Sequence, residues 1–379
     1  MSRLEDFEYM LKYMKMLDPT NAKILEGLGK YGPRNHLSLA KSIHLPPTTV
    51  SFRIKKLIDE GHLKIRSRLD YSKIGLIRAV VIAEALPGFE DKLQRLIDNI
   101  GYWTYTTKCY GRFNGFYSAM AFPAEYKKEL ETYFNKALHL KVFSHYNFYW
   151  TTNFCEVAPN FDWFNLERRE WHFKWREWIN EILNASQTPP QRLLDPKGYP
   201  IMADETDLLI LKESEKDGTV GFTQLAKVVG TTPQSIRYRY NKHVVKRKLV
   251  ADYEVSIFPY PLQSSDMCSF VIDLENEKAL AKFSNTLYNK PFVLSFAKVI
   301  GNFSLIVHTY TPKLELPQLI ESLRHLIKEN IISSFFYVTL DIMSFKRQTI
   351  AYEFFKEGTW RYKQKEVYKK LKSTTLLRC

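Results

Sequence analysis

The sequence predicts an α+β protein in which one two-domain unit is built twice in tandem. Segments of the first half recur in the same order in the second half, and such recurrence is the signature of a repeated structure. Within each half, short helical patterns are followed by alternating strand and helix patterns, which favours two domains per half. The chain has 379 residues, well above the size at which a protein needs disulfides or a metal to stabilise its core.

The duplication rests on residue matches that keep their order along the chain. Asp18 aligns with Asp204, and Leu39-Ala40-Lys41 aligns with Leu225-Ala226-Lys227 without a gap between them. Ordered matches in three separate segments are hard to explain by chance, so we interpret the chain as a tandem repeat. Further aligned pairs are Pro47 and Pro233, Arg53 and Arg239, Leu63 and Leu249, Gly111 and Gly301, Phe113 and Phe303, and Trp171 and Trp360.

The first segment of each half has the pattern of a winged helix-turn-helix, which is three short helices followed by a two-stranded wing. Pro47 suits the first position of the third helix, and the spacing of Val50, Ile54 and Leu57 predicts one apolar face that packs on a core. Gly61 is typical of the residue that ends a helix. The predicted helices cover 21–31, 37–43 and 47–60, then 204–215, 223–229 and 233–240, and the predicted wings cover 62–70 and 248–255.

The second segment of each half alternates strand and helix in the order βαββαβ, which is the pattern of a ferredoxin-like domain. An aromatic, charged segment follows in each half and is predicted to be a helix, over 163–183 and 352–371. The stretch 184–200 is rich in Pro, Ser and Gln and is interpreted as the linker between the halves. The predicted strands are 79–86, 102–110, 115–122, 142–150, 269–274, 293–300, 304–310 and 332–342, and the predicted helices are 91–100, 124–138, 277–288 and 317–329.

These patterns divide the chain into six regions. The predicted regions are a first winged helix-turn-helix (1–74), a first ferredoxin-like domain (75–158), an aromatic helix with the linker (159–200), a second winged helix-turn-helix (201–260), a second ferredoxin-like domain (265–345) and a C-terminal helix (346–379).

The composition of the chain indicates which kind of partner and which cellular location to expect. The net charge of +14 favours a polyanionic partner such as nucleic acid, although a solvated basic surface is the alternative. The four cysteines have no zinc-ligand spacing, and scattered thiols are typical of a reducing cytosol; they are Cys109, Cys155, Cys268 and Cys379. Acidic residues interrupt the apolar pattern of 1–17, so we expect no signal peptide there. No run of 18 apolar residues predicts a membrane span, and a cytoplasmic location is expected.

The segment 37–76, LSLAKSIHLPPTTVSFRIKKLIDEGHLKIRSRLDYSKIGL, resembles the Lrp/AsnC (leucine-responsive and asparagine-synthase regulator) family of bacterial and archaeal transcription regulators. The second copy, TTPQSIRYRYNKHVVKRKLVADY, matches more loosely, because His243 stands in place of a Leu and Arg247 in place of the Gly. The residues that carry the match in the first copy are Thr49, Val50, Arg53, Ile54, Lys56, Leu57, Glu60 and Gly61.

The resemblance implies that the βαββαβ domains pair, so that the two halves of one chain form a pseudo-dimer, and it leaves a homodimer of chains open. It also implies a small-molecule effector near the loop between the second and third strands, although both copies lack the acidic residue of the family loop. The candidate effector residues are Gly111, Asn114, Gly301 and Ser304.

The third helix of each winged unit is the candidate recognition helix, because in a helix-turn-helix this element enters the major groove of duplex DNA. Basic residues outnumber acidic ones by six to two both in 48–68 and in 234–254, which suits contacts to phosphate. Arg53 and Arg239 have an alternative structural role, in which each holds its helix to an acid or a carbonyl. The candidate DNA-binding residues are Thr48, Thr49, Phe52, Arg53, Lys55, Lys56, Lys64, Arg66, Arg68, Gln234, Ser235, Arg237, Tyr238, Arg239, Lys242, Lys246, Arg247 and Lys248.

The prediction for function is therefore a cytoplasmic, archaeal-type transcription regulator that binds double-stranded DNA through two non-identical winged helices. No catalytic residues, cofactor or metal are predicted, and the protein is not expected to be an enzyme. One alternative is an architectural or protein-binding module. Another is an enzyme, because siroheme decarboxylases resemble the same two-domain plan. They carry a His-Asn-Tyr-x-Arg type stretch in the second strand, and the corresponding segments 103–108 and 294–298 have neither the His nor the Arg.

Overall fold

The structure is a computed structural model that describes residues 16–376, the last three of them through their backbone only. Predictions that concern residues 1–15 and Cys379 lie outside the described residues. The α-helices of this range are α1 (Pro19–Tyr31), α2 (His36–Ser42), α3 (Pro47–Asp59), α4 (Glu90–Ile100), α5 (Lys127–His139), α6 (Trp175–Asn184), α7 (Glu205–Lys216), α8 (Phe222–Val229), α9 (Pro233–Arg239), α10 (Glu277–Leu287), α11 (Leu316–Lys328) and α12 (Gln364–Leu376).

The strands of six or more residues follow the order that the sequence predicts, whereas the two-residue strands were not predicted. The strands are β1 (Lys64–Leu69), β2 (Leu76–Ala85), β3 (Trp103–Gly111), β4 (Gly115–Pro123), β5 (Phe143–Thr151), β6 (Cys155–Glu156), β7 (Phe164–Asn165), β8 (Glu170–Trp171), β9 (Val250–Ser256), β10 (Ser265–Leu274), β11 (Val293–Lys298), β12 (Ser304–Pro312), β13 (Ile332–Leu340), β14 (Lys346–Arg347), β15 (Phe355–Lys356) and β16 (Thr359–Trp360).

The three-helix units form as predicted, and their first helices begin in the same way. The Asp18 carboxylate accepts a hydrogen bond from the backbone N–H of Asn21 at 2.7 Å, and the Asp204 carboxylate accepts one from Asp207 at 2.9 Å. An acidic N-cap satisfies a helical N–H that has no partner inside the helix. The units diverge at the third helix, since α9 continues into a π-helical turn over Tyr240–Val245.

The predicted two-stranded wings are wrong. Each half supplies a single strand, and β1 of the first half pairs antiparallel with β9 of the second, from Lys64 opposite Ser256 to Leu69 opposite Val250. The alternating patterns identified the strands correctly, but strand partners are a long-range choice that local alternation does not specify. We call this pair the β1–β9 ribbon; it ties the two winged units together.

The two ferredoxin-like units share one continuous sheet. The strand order is β5-β2-β4-β3 in the first unit and β13-β10-β12-β11 in the second, and the units join where β3 pairs with β13. The outer edges also meet, because β6 pairs with β11 and the backbone N–H of Ile300 donates to Trp150 O at 2.8 Å. The sheet therefore closes into a barrel, so that the two halves pair within one chain as the family resemblance implies.

The barrel has a packed interior and helices on its outer surface. Residues that alternate along the strands point inward and form one cluster from both halves, including Val80, Ile82, Val271, Ile306 and Val338. The opposite faces of the strands pack against α4 and α5 in the first unit and against α10 and α11 in the second. This alternation places polar residues of the same faces at the mouths of the barrel.

The aromatic segments begin as hairpins rather than helices. β7 pairs with β8 and β15 pairs with β16, and helices α6 and α12 follow only afterwards. The turns require backbone that a helix cannot accommodate, since Arg169 has φ 56° and Gly358 has φ 75°. Their tryptophans anchor the cores: the Trp178 indole donates to Thr286 Oγ1 at 3.0 Å, and that of Trp360 donates to Ile74 O at 2.6 Å.

The predicted linker packs on the second half. The guanidinium of Arg192 donates to Asp252 Oδ1 at 2.6 Å, and Asp195 accepts from the Lys298 ammonium at 2.6 Å. Among residues 16–376, no helix is both long enough and apolar enough to cross a bilayer.

Candidate ligand cavity and recognition helices

A cavity of about 190 Å³ lies between one mouth of the barrel and the β1–β9 ribbon. Strands of both halves supply its polar wall, and the ribbon supplies its charged lid. Its lining also includes aromatic rings, so a ligand there meets both apolar faces and charged groups. The polar and charged lining residues that we consider are Arg68, Arg78, Tyr117, Glu156, Glu254, Ser295, His308 and Arg347.

Arg78 is a buried, charged residue of the lining that has no carboxylate next to it among the described residues. It points inward from β2 and is only 7% exposed. Its guanidinium donates to Thr104 Oγ1 at 2.9 Å and lies 4.7 Å from the ring centre of Tyr71. Within residues 16–376, no carboxylate lies within ion-pair distance of it. Burial lowers the pKa of Arg78, yet an arginine stays charged because its ordinary pKa lies far above neutral pH.

The lid is built on Glu254. Arg68 Nη2 lies 2.6 Å from one carboxylate oxygen, Arg347 donates to the same oxygen at 2.6 Å, and Arg66 donates to the other at 3.3 Å. Burial raises the pKa of Glu254, but the three guanidinium groups outweigh it and hold the pKa well below its ordinary value. The carboxylate is therefore fully charged at neutral pH, and it joins β1, β9 and β14.

Glu156 behaves in the opposite way although it also contacts Arg68. Its Oε1 lies 2.8 Å from Arg68 Nε. Burial raises the pKa of Glu156 to about 7, against the attraction of Arg68 and together with repulsion from Glu254. Near neutral pH, Glu156 is therefore only partly ionised. The positive charge of the three cavity arginines thus exceeds the negative charge of Glu156 and Glu254.

A hydrogen-bonded chain of Tyr117, His308 and Ser295 forms the opposite wall. The Tyr117 hydroxyl lies 2.8 Å from His308 Nε2, and Ser295 Oγ lies 2.9 Å from His308 Nδ1. The ring of Phe154 stacks on the imidazole at 5.0 Å. Burial, together with Arg68 and Arg78, lowers the pKa of His308 to about 3, so the imidazole is neutral and can both donate and accept.

The recognition helices keep their predicted outer faces. On α3, the side chains of Thr48, Phe52, Lys55 and Lys56 are exposed, and Thr49 is half-buried. The exposed residues on and just after α9 are Gln234, Ser235, Arg237, Tyr238 and Lys242.

Arg53 and Arg239 do not point outward with them. Arg53 Nη1 donates to Asp18 Oδ2 at 2.6 Å, and Arg239 Nη1 donates to Asp204 Oδ2 at 2.6 Å. Each arginine thus binds the N-cap acid of the first helix in its own unit, which is the structural alternative. Asp204, Asp207 and His243 lie close enough to resemble a metal site, but Arg239 also donates to Asp207 at 2.9 Å, so an arginine already supplies the positive charge.

The basic residues near the ribbon divide into two groups. Arg66 and Arg68 bind Glu254 in the lid, so they do not lie on a DNA-facing wing, and Arg247 donates to Met202 O at 2.5 Å. These three arginines are thus engaged in contacts within the protein, and a DNA-binding role for them stays a prediction. Lys64, Lys246 and Lys248 are exposed and remain candidates for phosphate contacts.

The candidate effector residues lie outside the cavity. Asn114 Oδ1 accepts from the Gly111 N–H at 3.3 Å, the Gly301 N–H donates to Asp195 at 3.1 Å, and Ser304 Oγ donates to Asp273 at 2.5 Å. Their polar groups hold the two loops in place, and an effector role for them stays a prediction.

Apart from Arg68, the cavity residues are not among the site residues that the sequence predicts. Arg78 and His308 each stand in the middle of an apolar strand, in LIRAVVIAEA and SLIVHTYTP. A polar residue inside such a run was the available signal, since burying it requires a partner.

Comparison with known proteins covers the N-terminal unit by sequence. The family described as winged helix-turn-helix DNA-binding matches residues 17–64. An uncharacterized HTH-type transcriptional regulator of Pyrococcus furiosus is 38% identical over 63 residues, which are 16% of this chain and 42% of that protein. Another from Pyrococcus horikoshii is 35% identical over 63 residues. The match therefore spans less than half the length of either relative.

Solved structures cover more of the chain at lower identity. The siroheme decarboxylase NirDL is 11% identical, with a TM-score of 0.49, over 93% of this chain and 97% of that chain. Escherichia coli AsnC is 20% identical, with a TM-score of 0.29, over 39% of this chain and 98% of that chain. These are likenesses of fold, and the predicted α+β class with winged helix-turn-helix and ferredoxin-like domains is confirmed.

The prediction that the chain is not an enzyme is contradicted. The solved structures of NirDL, with and without an iron-uroporphyrin III analogue, align with nearly the whole chain, and NirDL is an enzyme. The enzyme alternative is disfavoured at the level of sequence because segments 103–108 and 294–298 have neither the His nor the Arg. The N-terminal unit is a winged helix-turn-helix of the DNA-binding type, joined to a barrel that holds a charged cavity.

Proposed function

We propose that this chain is an enzyme whose substrate carries a carboxylate, and that Arg78 binds this group in the cavity at the mouth of the barrel. The observation that carries the proposal is the buried guanidinium of Arg78, which has no carboxylate within ion-pair distance among the described residues. A buried charge without a counter-ion in contact is costly, and a bound carboxylate would supply the two acceptors that a guanidinium prefers.

The surroundings of Arg78 suit an organic acid better than an inorganic anion. Tyr71 and Phe154 flank the guanidinium, with ring centres at 4.7 and 5.8 Å. Apolar and aromatic walls with a few convergent polar groups are typical of sites for organic ligands. The cavity is close in size to cavities of about 150 Å³ that accept benzene, so it accommodates one ring with its carboxylate, and a larger ligand would extend past the half-exposed Phe345.

Tyr117 and His308 supply the acid–base chemistry of the proposed site. His308 can relay a proton to Tyr117 across their 2.8 Å contact. Its Nδ1 accepts a proton from the Ser295 hydroxyl as its Nε2 returns one to the tyrosinate, and water reprotonates Ser295, so Tyr117 can donate repeatedly to a substrate atom. The reaction that we propose is decarboxylation. The bond to the carboxylate carbon breaks, CO₂ leaves, the electron pair stays on the substrate carbon, and a proton replaces the CO₂. This step consumes one proton and needs no oxidant or reductant.

Binding of carboxylates to the full chain and to Arg78→Gln tests the proposal. We would titrate benzoate and iron uroporphyrin III by calorimetry and absorbance, and assay CO₂ release from the ligands that bind. We expect Arg78→Gln to weaken binding about tenfold or more, as charged hydrogen bonds of about 1.5–3 kcal/mol imply. Arg112→Gln, an exposed arginine outside the cavity, is the control. Equal binding by a folded Arg78→Gln protein would refute the site, and binding without CO₂ release would refute the reaction alone.

A second candidate function is binding of duplex DNA by α3 and α9. The observation that favours it is the matched pair of exposed helix faces, each with an aromatic residue and a lysine at aligned positions: Phe52 and Lys56 in α3, and Tyr238 and Lys242 in the second copy. Binding to labelled duplexes across salt tests it, since phosphate contacts give affinity that falls steeply with salt. No binding at low salt would exclude this function and would leave the proposal for the cavity unaffected.

A further inference from the structure

Two large aromatic side chains stand exposed at aligned positions of the duplicated recognition helices. Phe52 on α3 is 68% exposed and Tyr238 on α9 is 64% exposed. Other aromatic residues of the described chain are mostly packed in cores, and leaving two rings in water at matched sites forgoes the free energy of burying them. A partner that covers both rings is therefore the simplest reason for this arrangement.

The polar residues around the two rings identify the chemistry of that partner. Thr48 and Lys56 lie one turn before and one turn after Phe52, and both are exposed. Gln234 and Lys242 flank Tyr238 in the same way. Each face thus offers a hydroxyl or amide, an aromatic ring and a cation in one row, which suits the edges of bases next to a phosphate backbone.

The arginines adjacent to the rings cannot take the reading role. Arg53 and Arg239 are held by Asp18 and Asp204 at 2.6 Å in each unit. Bidentate recognition of guanine needs a free guanidinium, so neither of these two arginines makes that contact. Arg237 is exposed on α9, but its aligned position in α3 is Ser51, so the rings are the large groups that both recognition helices offer to a base edge.

We propose that Phe52 and Tyr238 read the C5-methyl groups of thymine in the major groove, one ring for each half of the chain. Thymine is the base that presents a methyl group in that groove, and apolar side chains recognise it by contact. This proposal rests on the second candidate function, binding of duplex DNA. The β1–β9 ribbon joins the two units, so the two contacted thymines lie at a fixed separation.

The test compares two duplexes that differ only in the methyl groups. We would measure binding of the full chain, at low salt, to an alternating adenine–thymine duplex and to its twin in which deoxyuridine replaces thymidine. Burying one methyl group is worth about 0.8 kcal/mol, which is roughly a fourfold change in affinity. We expect the thymine duplex to bind about fourfold more tightly for each contacted methyl.

The variants assign the effect to the rings. Phe52→Ala and Tyr238→Ala should each reduce the thymine-to-uracil preference about fourfold, and the double variant should abolish it. Phe303→Ala is the matched control, because Phe303 is a 45% exposed ring outside the recognition helices. Binding of both duplexes with equal affinity would overturn the proposal while leaving duplex binding intact. Absence of duplex binding would overturn both, and a preference that persists in the double variant would overturn the assignment to these residues.

Discussion

The guanidinium of Arg34, in the first winged unit, lies 4.8 Å from the ring centre of Tyr240 in the second. The same group donates a hydrogen bond to Val220 O at 2.6 Å and lies 5.0 Å from the ring of Phe222. One side chain of the first half therefore packs against two aromatic rings of its duplicate. Together with the β1–β9 ribbon, this contact fixes how the two recognition helices are placed.

Removing this contact should loosen the pair of winged units. Arg34→Ala deletes a hydrogen bond from a charged donor and two cation–π contacts, and we expect the free energy of unfolding to fall by about 2 kcal/mol. Chemical denaturation followed by circular dichroism measures it. Arg112→Ala is the matched control on an exposed loop, and an unchanged midpoint for Arg34→Ala would show that the ribbon alone holds the units together.

Replacing Glu254 should be among the most destabilising single changes in the lid. Glu254→Gln leaves Arg66, Arg68 and Arg347 without their shared carboxylate, and breaking a buried ion pair costs about 3–5 kcal/mol. We expect a large drop in the thermal unfolding midpoint, measured by calorimetry. Glu357→Gln alters a strongly exposed carboxylate that pairs with Arg361 and should leave the midpoint in place. Equal midpoints for the two variants would contradict the arrangement of the lid.

His308 should resist protonation in the folded protein. Because its pKa is lowered to about 3 from an ordinary value near 6.5, the unfolded chain binds this proton first as the pH falls. The contribution of neutral His308 to the free energy of unfolding is therefore fully present above about pH 6.5 and declines between that value and about pH 3. NMR titration of the imidazole should show no change from pH 8 to pH 5. A resonance that titrates near pH 6.5 would disprove the neutral, buried state.

The stability of the first winged unit should fall in acid for a different reason. Burial raises the pKa of Asp18, but hydrogen bonds from Arg53 and from the backbone N–H of Asn21 lower it and outweigh the effect of burial. The pKa of Asp18 in the folded protein therefore lies below its value in the unfolded chain. The stabilising contribution is present above the unfolded pKa of about 3.9 and is lost as the pH falls through the lower folded value. Asp18→Asn should remove this part of the pH dependence in unfolding experiments, and a slope identical to that of the unmodified chain would argue against the Arg53 contact.

The lysines of the recognition helices should act through phosphate. Lys56→Ala and Lys242→Ala are each expected to reduce the logarithmic salt dependence of duplex binding by about one unit, with little change in sequence preference. Fluorescence anisotropy across a salt series measures the slope. Lys365→Ala, on the exposed side of α12, should leave it unchanged. A slope that is insensitive to Lys56 and Lys242 would place duplex binding elsewhere on the surface.

The exposed faces of the recognition helices could be predicted from the sequence, whereas the structural role of Arg53 could not. The exposed faces of the recognition helices follow from the apolar spacing of Val50, Ile54 and Leu57, since residues on the opposite side of a helix must face outward. The role of Arg53 did not follow, because its carboxylate partner Asp18 is 35 residues away. The same distance in sequence separates Arg239 from Asp204, so the repeat itself was a usable signal for this pair.

The duplication, the order of the longer helices and strands, and the outward faces of the recognition helices could be predicted from the amino-acid sequence, because they depend on repeated motifs and on local periodicity. The tertiary structure alone decided that β1 pairs with β9 rather than with a wing partner, that the aromatic segments begin as hairpins, and that Arg78 and His308 meet in one cavity. Strand partners and buried polar contacts are chosen by the packing of segments far apart in sequence, and no local pattern records that choice.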